Sequence, residues 1–129
     1  MSRPPVRDRP LVLVADGDPD LRAYIRDALA RGGADSAEAA NGPEALVLTR
    51  ALRPDLVVSD ARMPGLGGVA LCRALRDDRL TRSVLVLLVS GGTRAPPPCA
   101  DGFLAKPFNA SVLRAEVERL LARPIPATP

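Results

Sequence analysis

Apolar positions along the chain alternate between two patterns. Leu11 to Ala15, Leu56 to Val58 and Val84 to Val89 are short, continuously apolar runs bounded by polar or turn residues. Such runs predict strands buried on both faces. Between them the apolar residues recur at helical spacing. Pro19 to Arg31 carries Leu21, Ile25, Ala28 and Leu29 on one face, and Glu44 to Leu52 carries Ala45, Leu48 and Leu52. Further helices are predicted over Val69 to Arg76 and over Ala110 to Ala122, the latter with Val112, Leu113, Val117, Leu120 and Leu121 inward. The punctuation agrees: Asp18 before Pro19 is an N-cap with proline at N1, Gly32-Gly33 is a stop, Asn109 caps the last helix and Pro124 ends it. Strands alternating with helices predict βα units around a parallel sheet. Ala34 to Ala40 and Gly102 to Ala105 are weaker strands by propensity, but they fill the second and fifth strand positions of a five-stranded (βα)5 pattern. Between the fourth and fifth strands the alternation demands a helix, and the chain offers Ala95-Pro96-Pro97-Pro98 instead. Successive prolines cannot continue a helix interior, so that helix is expected to be missing, replaced by a Pro-rich loop.

Length and composition narrow the function. At 129 residues the chain has room for one domain, here residues 10–123, between Pro-rich tails at 1–9 and 124–129 that are expected to be disordered. No apolar run reaches the roughly 18 residues of a membrane span, and a cytoplasmic protein without membrane contact is expected. Histidine is absent and the two cysteines, Cys72 and Cys99, have no metal spacing. A zinc site and the His-dependent hydrolytic triads are thereby excluded. Aromatics make up 2% of the chain, too few for a base-stacking platform, and the net charge of +3 is a scattered arginine excess. The arginines at 73, 76, 79 and 82 read as a solvated helix face, so no nucleic-acid partner is expected. Of the 18 basic residues only Lys106 is a lysine. A lone lysine among arginines suggests a position that wants a compact ammonium.

In an open parallel sheet the functional crevice lies beyond the carboxyl ends of the strands. Those ends read Asp16-Gly17-Asp18, Ser59-Asp60, Ser90-Gly91-Gly92 and Lys106-Pro107. Two carboxylates, a hydroxyl and one ammonium suit a hard divalent cation together with a phosphoryl group. A carboxylate is also an accepted phosphoryl nucleophile.

The segments VLVADGDPDLR, PDLVVSDARMPGLGG, VLLVS and FLAKPF, in this order over about residues 10–123, resemble the receiver domain of bacterial two-component response regulators. The resemblance implies a flavodoxin-like, doubly wound α/β fold with strand order 2-1-3-4-5. It implies Asp60 as phosphoacceptor, Lys106 as the phosphate-contacting lysine, and Ser90 and Phe103 as switch residues. The implied magnesium site comprises Asp16, Asp60 and the backbone carbonyl of Arg62. Lys106-Pro107 would be the family's cis peptide, and Gly91 a position kept small so that a phosphoryl group can enter. The implied partner is a histidine kinase or phosphotransfer protein, followed by an unidentified downstream protein. Beyond self-catalysed phosphoryl transfer and dephosphorylation, no enzyme activity is implied.

Two departures bear on this. Gly17 stands where the family has the second of two adjacent acids, so Mg2+ is expected to bind weakly and phosphorylation to be slow, weakly metal-dependent or absent. Asp18 is read as an N-cap rather than a replacement ligand. The span from Ser90 to Lys106 is also short by roughly one and a half helical turns, which removes the usual signalling face. The expected function is a stand-alone, atypical receiver signalling by protein contact. The alternative is a pseudo-receiver that binds a partner without phosphorylation. A flavodoxin-type cofactor binder is disfavoured by the acidic ADGDPD turn, and a dehalogenase-like phosphatase by Arg62, where a second Asp would be needed.

Overall fold

The computed structural model describes residues 7–92 and 97–122. Five strands, β1 (Leu11–Ala15), β2 (Asp35–Ala39), β3 (Leu56–Asp60), β4 (Leu85–Ser90) and β5 (Gly102–Ala105), form one parallel sheet in the order β2-β1-β3-β4-β5. Helices α1 (Pro19–Arg31), α2 (Gly42–Leu52), α3 (Gly68–Asp77) and α4 (Ala110–Leu121) cover its two faces. The expected doubly wound fold and strand order are therefore present.

The period-two geometry of the strands sorts the core into two layers. Val12, Val14, Leu56, Val58, Leu87 and Val89 point to one face, against Ile25, Ala28 and Leu29 of α1 and Leu113, Val117 and Leu120 of α4. The alternate positions Leu13, Ala15, Val57, Val86 and Leu88 point to the other, against Ala45 of α2 and Leu71, Cys72 and Leu75 of α3. This is why the central strands are continuously apolar. β2, with the sequence DSAEA, is a polar strand at the sheet edge, and only Ala39 is buried. Its pairing with β1, from Leu11 opposite Asp35 to Ala15 opposite Ala39, sustains it where propensity does not.

Between β4 and β5 the described residues 91, 92 and 97–101 contain no helix. Pro97 and Pro98 lie in that connection, and Pro96 lies outside the described residues. The gap falls on the α2–α3 face, where Cys99, Ala100 and Phe103 are only partly buried against the core. Arg76 of α3 ties the connection down. It donates to the carbonyls of Cys99 (3.0 Å) and Val84 (2.6 Å) and pairs with Asp101 (2.7 Å), while Asp101 accepts from the Val86 N–H (2.9 Å).

Helix ends follow the sequence with small shifts. Asp18 accepts from the Asp20 and Leu21 N–H groups, Asn41 from Glu44 and Asn109 from Val112. Because Asn41 is the cap, α2 starts at Gly42 rather than Glu44, and α3 likewise begins one residue early at Gly68. Val112, placed inward by the periodicity, is 46% exposed at the open end of α4. Arg7 donates to the Leu52 and Arg53 carbonyls, so the described part of the N-terminal segment lies against the end of α2. No helix among the described residues is long and apolar enough to cross a membrane.

Candidate functional site

The sheet register brings the chemistry-bearing residues to one edge. Ala15 pairs with Ser59, Asp60 with Val89, and Ser90 with Ala105. Asp16, Asp60, Ser90 and Lys106 therefore stand at the last strand positions or one step beyond, all at the carboxyl end of the sheet. Lys106 is held there by its own N–H, which donates to the Ser90 carbonyl at 2.8 Å.

The Lys106 ammonium lies 3.4 Å from Asp60 Oδ2 and 3.8 Å from Asp16 Oδ2. One cation thus faces both carboxylates, a distance at which the like charges of the pair are substantially offset. Asp16 is only 3% exposed. Burial pushes its carboxyl above the usual range; the Asp18 N–H, donating at 2.9 Å, opposes that shift, and the negative charge of Asp60 adds to it. Asp60 is half-buried and accepts from the Arg62 N–H at 3.3 Å. Ser90 is half-buried, and its Oγ accepts from the Gly92 N–H at 3.1 Å. Among the described residues, a Cβ built on Gly91 meets nothing within 4 Å. The Lys106-Pro107 peptide is cis. Phe103 on β5 pairs with Leu88 and is partly buried against the α2–α3 face of the core.

Gly17 is exposed and its φ is not in the left-handed region. A Cβ there would meet Pro64 Cδ at 3.4 Å, an ordinary contact. The backbone at position 17 therefore accepts a Cβ without strain or close contact, so glycine is not required there by local geometry. Asp18 remains committed to capping α1. The two carboxylates that Lys106 faces, Asp16 and Asp60, are of the kind and number that suit Mg2+, which usually takes one or two carboxylates and keeps several waters.

Three residues the sequence did not single out shape this edge. Arg22 donates to the Asp16 carbonyl at 2.7 Å and pairs with Glu38 at 2.9 Å, fixing the turn after β1. Its only signal was an arginine in the opening turn of a helix, where the dipole favours acids. Gly68 packs so tightly that a Cβ would lie 2.3 Å from the Asp60 carbonyl oxygen. A Cβ on Gly42 would lie 2.1 Å from the Leu66 carbonyl oxygen. Gly68 ends the PDLVVSDARMPGLGG segment, but neither its contact with Asp60 nor that of Gly42 with Leu66 can be read from the residues next to it in sequence.

Residues 12–118 match the family model of the response regulator receiver domain. The chain belongs to that family. It is 35% identical over 121 residues to the DNA-binding response regulator MtrA of Mycolicibacterium smegmatis, covering 89% of this chain and 52% of that protein. It is 31% identical to the chemotaxis protein CheY of Pseudomonas aeruginosa, covering 87% of this chain and 96% of that one. Among solved structures, the chemotaxis response regulator CheY4 of Vibrio cholerae superposes with a TM-score of 0.81 at 27% identity, covering 87% of this chain and 98% of that one. The receiver thus spans about half the length of MtrA and nearly all of a CheY. It is a two-component signalling module of a kind that is generally not an enzyme, and receiver domains bind Mg2+ in their active site.

Proposed function

We propose that this receiver accepts a phosphoryl group on Asp60 from the phosphohistidine of a kinase or phosphotransfer protein, and signals by protein contact. A chain without histidine depends on its partner for that donor. An Asp60 carboxylate oxygen attacks phosphorus in line, the P–N bond breaks, and the imidazole leaves with the electron pair and takes a proton. The observation that carries this reading is Lys106, whose ammonium lies within 4 Å of both carboxylates. There it draws Asp60 into position and neutralises the phosphoryl oxygens as charge accumulates. Asp16, Asp60 and the Arg62 carbonyl are the proposed Mg2+ ligands, and the ion supplies further charge neutralisation when bound. Ser90 Oγ is a donor to the phosphoryl group beside Gly91, and Phe103 is the aromatic that responds to it.

With Gly17 in place of an acid, Mg2+ binds more weakly than to a site with three carboxylates. The same substitution supports a second reading, a pseudo-receiver that engages its partner without phosphorylation. Intact-mass analysis after incubation with acetyl phosphate separates them. The proposed function predicts a gain of about 80 Da, one phosphoryl group, that requires Mg2+ and is lost in Asp60→Asn. No gain at donor levels that modify an ordinary receiver establishes the pseudo-receiver instead.

A further inference from the structure

Glycine at position 17 leaves the turn after β1 without a side chain to confine it. Gly17 is exposed, and among the described residues a Cβ there would meet nothing nearer than Pro64 Cδ at 3.4 Å, so packing does not hold this residue in place. Glycine also has more backbone conformations open to it than any other residue. Its neighbours are restrained by other means. Asp18 precedes Pro19, whose ring limits the Asp18 backbone, and the Asp16 N–H donates to the Ala39 carbonyl at 3.1 Å. The peptide between Asp16 and Gly17 is gripped by Arg22. That side chain is only 13% exposed and it forks: Nη1 donates to the Asp16 carbonyl at 2.7 Å, and Nε donates to Glu38 at 2.9 Å. Glu38 belongs to β2 and is braced in turn by Arg26, one helical turn further along α1. Arg26 pairs with the other Glu38 oxygen and donates to Ser36 Oγ at 3.0 Å.

We propose that Arg22 is a positioning residue for the Asp16 carboxylate, supplying through the Asp16–Gly17 peptide the restraint that Gly17 does not. The inference rests on the proposed function, in which Asp16 and Asp60 meet Mg2+ and the phosphoryl group. The carbonyl that Arg22 grips and the carboxylate that lies 3.8 Å from the Lys106 ammonium belong to the same residue. The carboxylate is tied to the far side of the same turn, since Asp16 Oδ1 accepts from the Asp18 N–H at 2.9 Å. Without Arg22 the Asp16–Gly17 peptide is free to turn, which carries the Asp18 N–H away from Oδ1. The buried carboxylate then loses both its donor and its aim at Lys106 and Asp60. An arginine in the opening turn of α1 opposes the helix dipole, and this contact offsets that cost. Alanine at position 17 would restrict the same backbone directly, because its Cβ is accepted there and its conformational freedom is smaller. Arg22 and residue 17 are thus expected to be coupled.

The test compares the full chain as wild type, Arg22→Ala, Gly17→Ala and the double variant, with Arg22→Lys, which keeps the charge but not the fork, as a milder change. The first readout needs neither metal nor phosphodonor. The Asp18 amide is expected to exchange about tenfold faster in Arg22→Ala, as for the loss of one hydrogen bond to a charged group. Exchange in β3 is expected to stay within about twofold of wild type, which marks the loosening as local. Arg22→Lys should fall between the two. Gly17→Ala is expected to slow the Asp18 amide of Arg22→Ala well beyond its effect on wild type, a non-additivity that reports the coupling. The second readout is labelling by acetyl phosphate over graded Mg2+. Arg22→Ala is expected to need roughly three times more Mg2+ for its half-maximal rate while its maximal rate stays within about twofold, a split that a general loss of folded protein does not give. A wild type that is never labelled overturns the proposed function and leaves amide exchange to decide the role of Arg22. An Asp18 amide as slow in Arg22→Ala as in wild type, an equal loosening of β3, or a Gly17→Ala effect that is simply additive would overturn the present inference.

Discussion

Asp16 pays for its position with stability. It is buried beside another carboxylate, and burial is the main reason its carboxyl titrates above the ordinary range. A carboxyl raised in the folded state binds its proton more tightly there than in the unfolded chain. Stability therefore falls as pH rises from about 3.8 through the raised folded value, and the deficit persists at neutral pH. Asp16→Asn keeps an oxygen to accept the Asp18 N–H and removes the charge. It is expected to raise the melting temperature at pH 7 without Mg2+ by about 4 °C, on the order of 1 kcal/mol, with the advantage over wild type vanishing below about pH 4. Calorimetry across that range checks both the sign and the window. Gly68 acts by the opposite means, through what it lacks. A methyl group 2.3 Å from the Asp60 carbonyl oxygen must displace β3 or α3. Gly68→Ala is expected to cost about 1–3 kcal/mol and to slow phosphorylation more than the stability loss alone explains, a split read from denaturant unfolding and intact-mass time courses. Asp16, Asp60, Ser90 and Lys106 were legible in the sequence because each ends or follows an apolar run. Gly68 was not, since its reason for being small lies in a contact that only the folded chain makes.

At the scale of elements, the β4–β5 connection departs most from an alternating α/β chain. The prolines agree with the lack of a helix among the described residues of this connection; what holds it in its place did not appear in the sequence. Arg73, Arg76, Arg79 and Arg82 all read as solvated, and Arg76 is instead part-buried, bonded to three backbone carbonyls and to Asp101. Spacing along a helix says which residues share a face but not whether a distant loop lies across it. Arg76→Ala is expected to destabilise the fold by about 2–3 kcal/mol, since charged hydrogen bonds to part-buried acceptors are lost together. The accompanying rise in amide exchange should be concentrated at residues 97–101. β2 taught the converse lesson: DSAEA has little strand propensity, and the (βα)5 order together with the apolar β1 beside it located the strand correctly.

For the whole molecule, the proposed function asks a receiver fold to accept a phosphoryl group at Asp60 with Gly17 beside Asp16 and with no helix among the described residues between β4 and β5. The glycine bears on how the site meets Mg2+, the connection on which surface a partner reads. Phosphorylation adds about −1.5 to −2 charge to a site already holding Asp16 and Asp60, which makes charge neutralisation the limiting requirement. Lys106 supplies one positive charge, and in the proposed function Mg2+ supplies the rest. Because the backbone at Gly17 accepts a Cβ, this claim is testable by restoration. The decisive measurement is the rate of Asp60 phosphorylation by acetyl phosphate, followed by intact mass over graded Mg2+, for wild type and Gly17→Asp. The account predicts that both proteins are modified and that wild type needs roughly ten times more Mg2+ for its half-maximal rate, about 1.4 kcal/mol of binding. Equal Mg2+ dependence, or a wild type that stays unmodified while Gly17→Asp reacts, would contradict it.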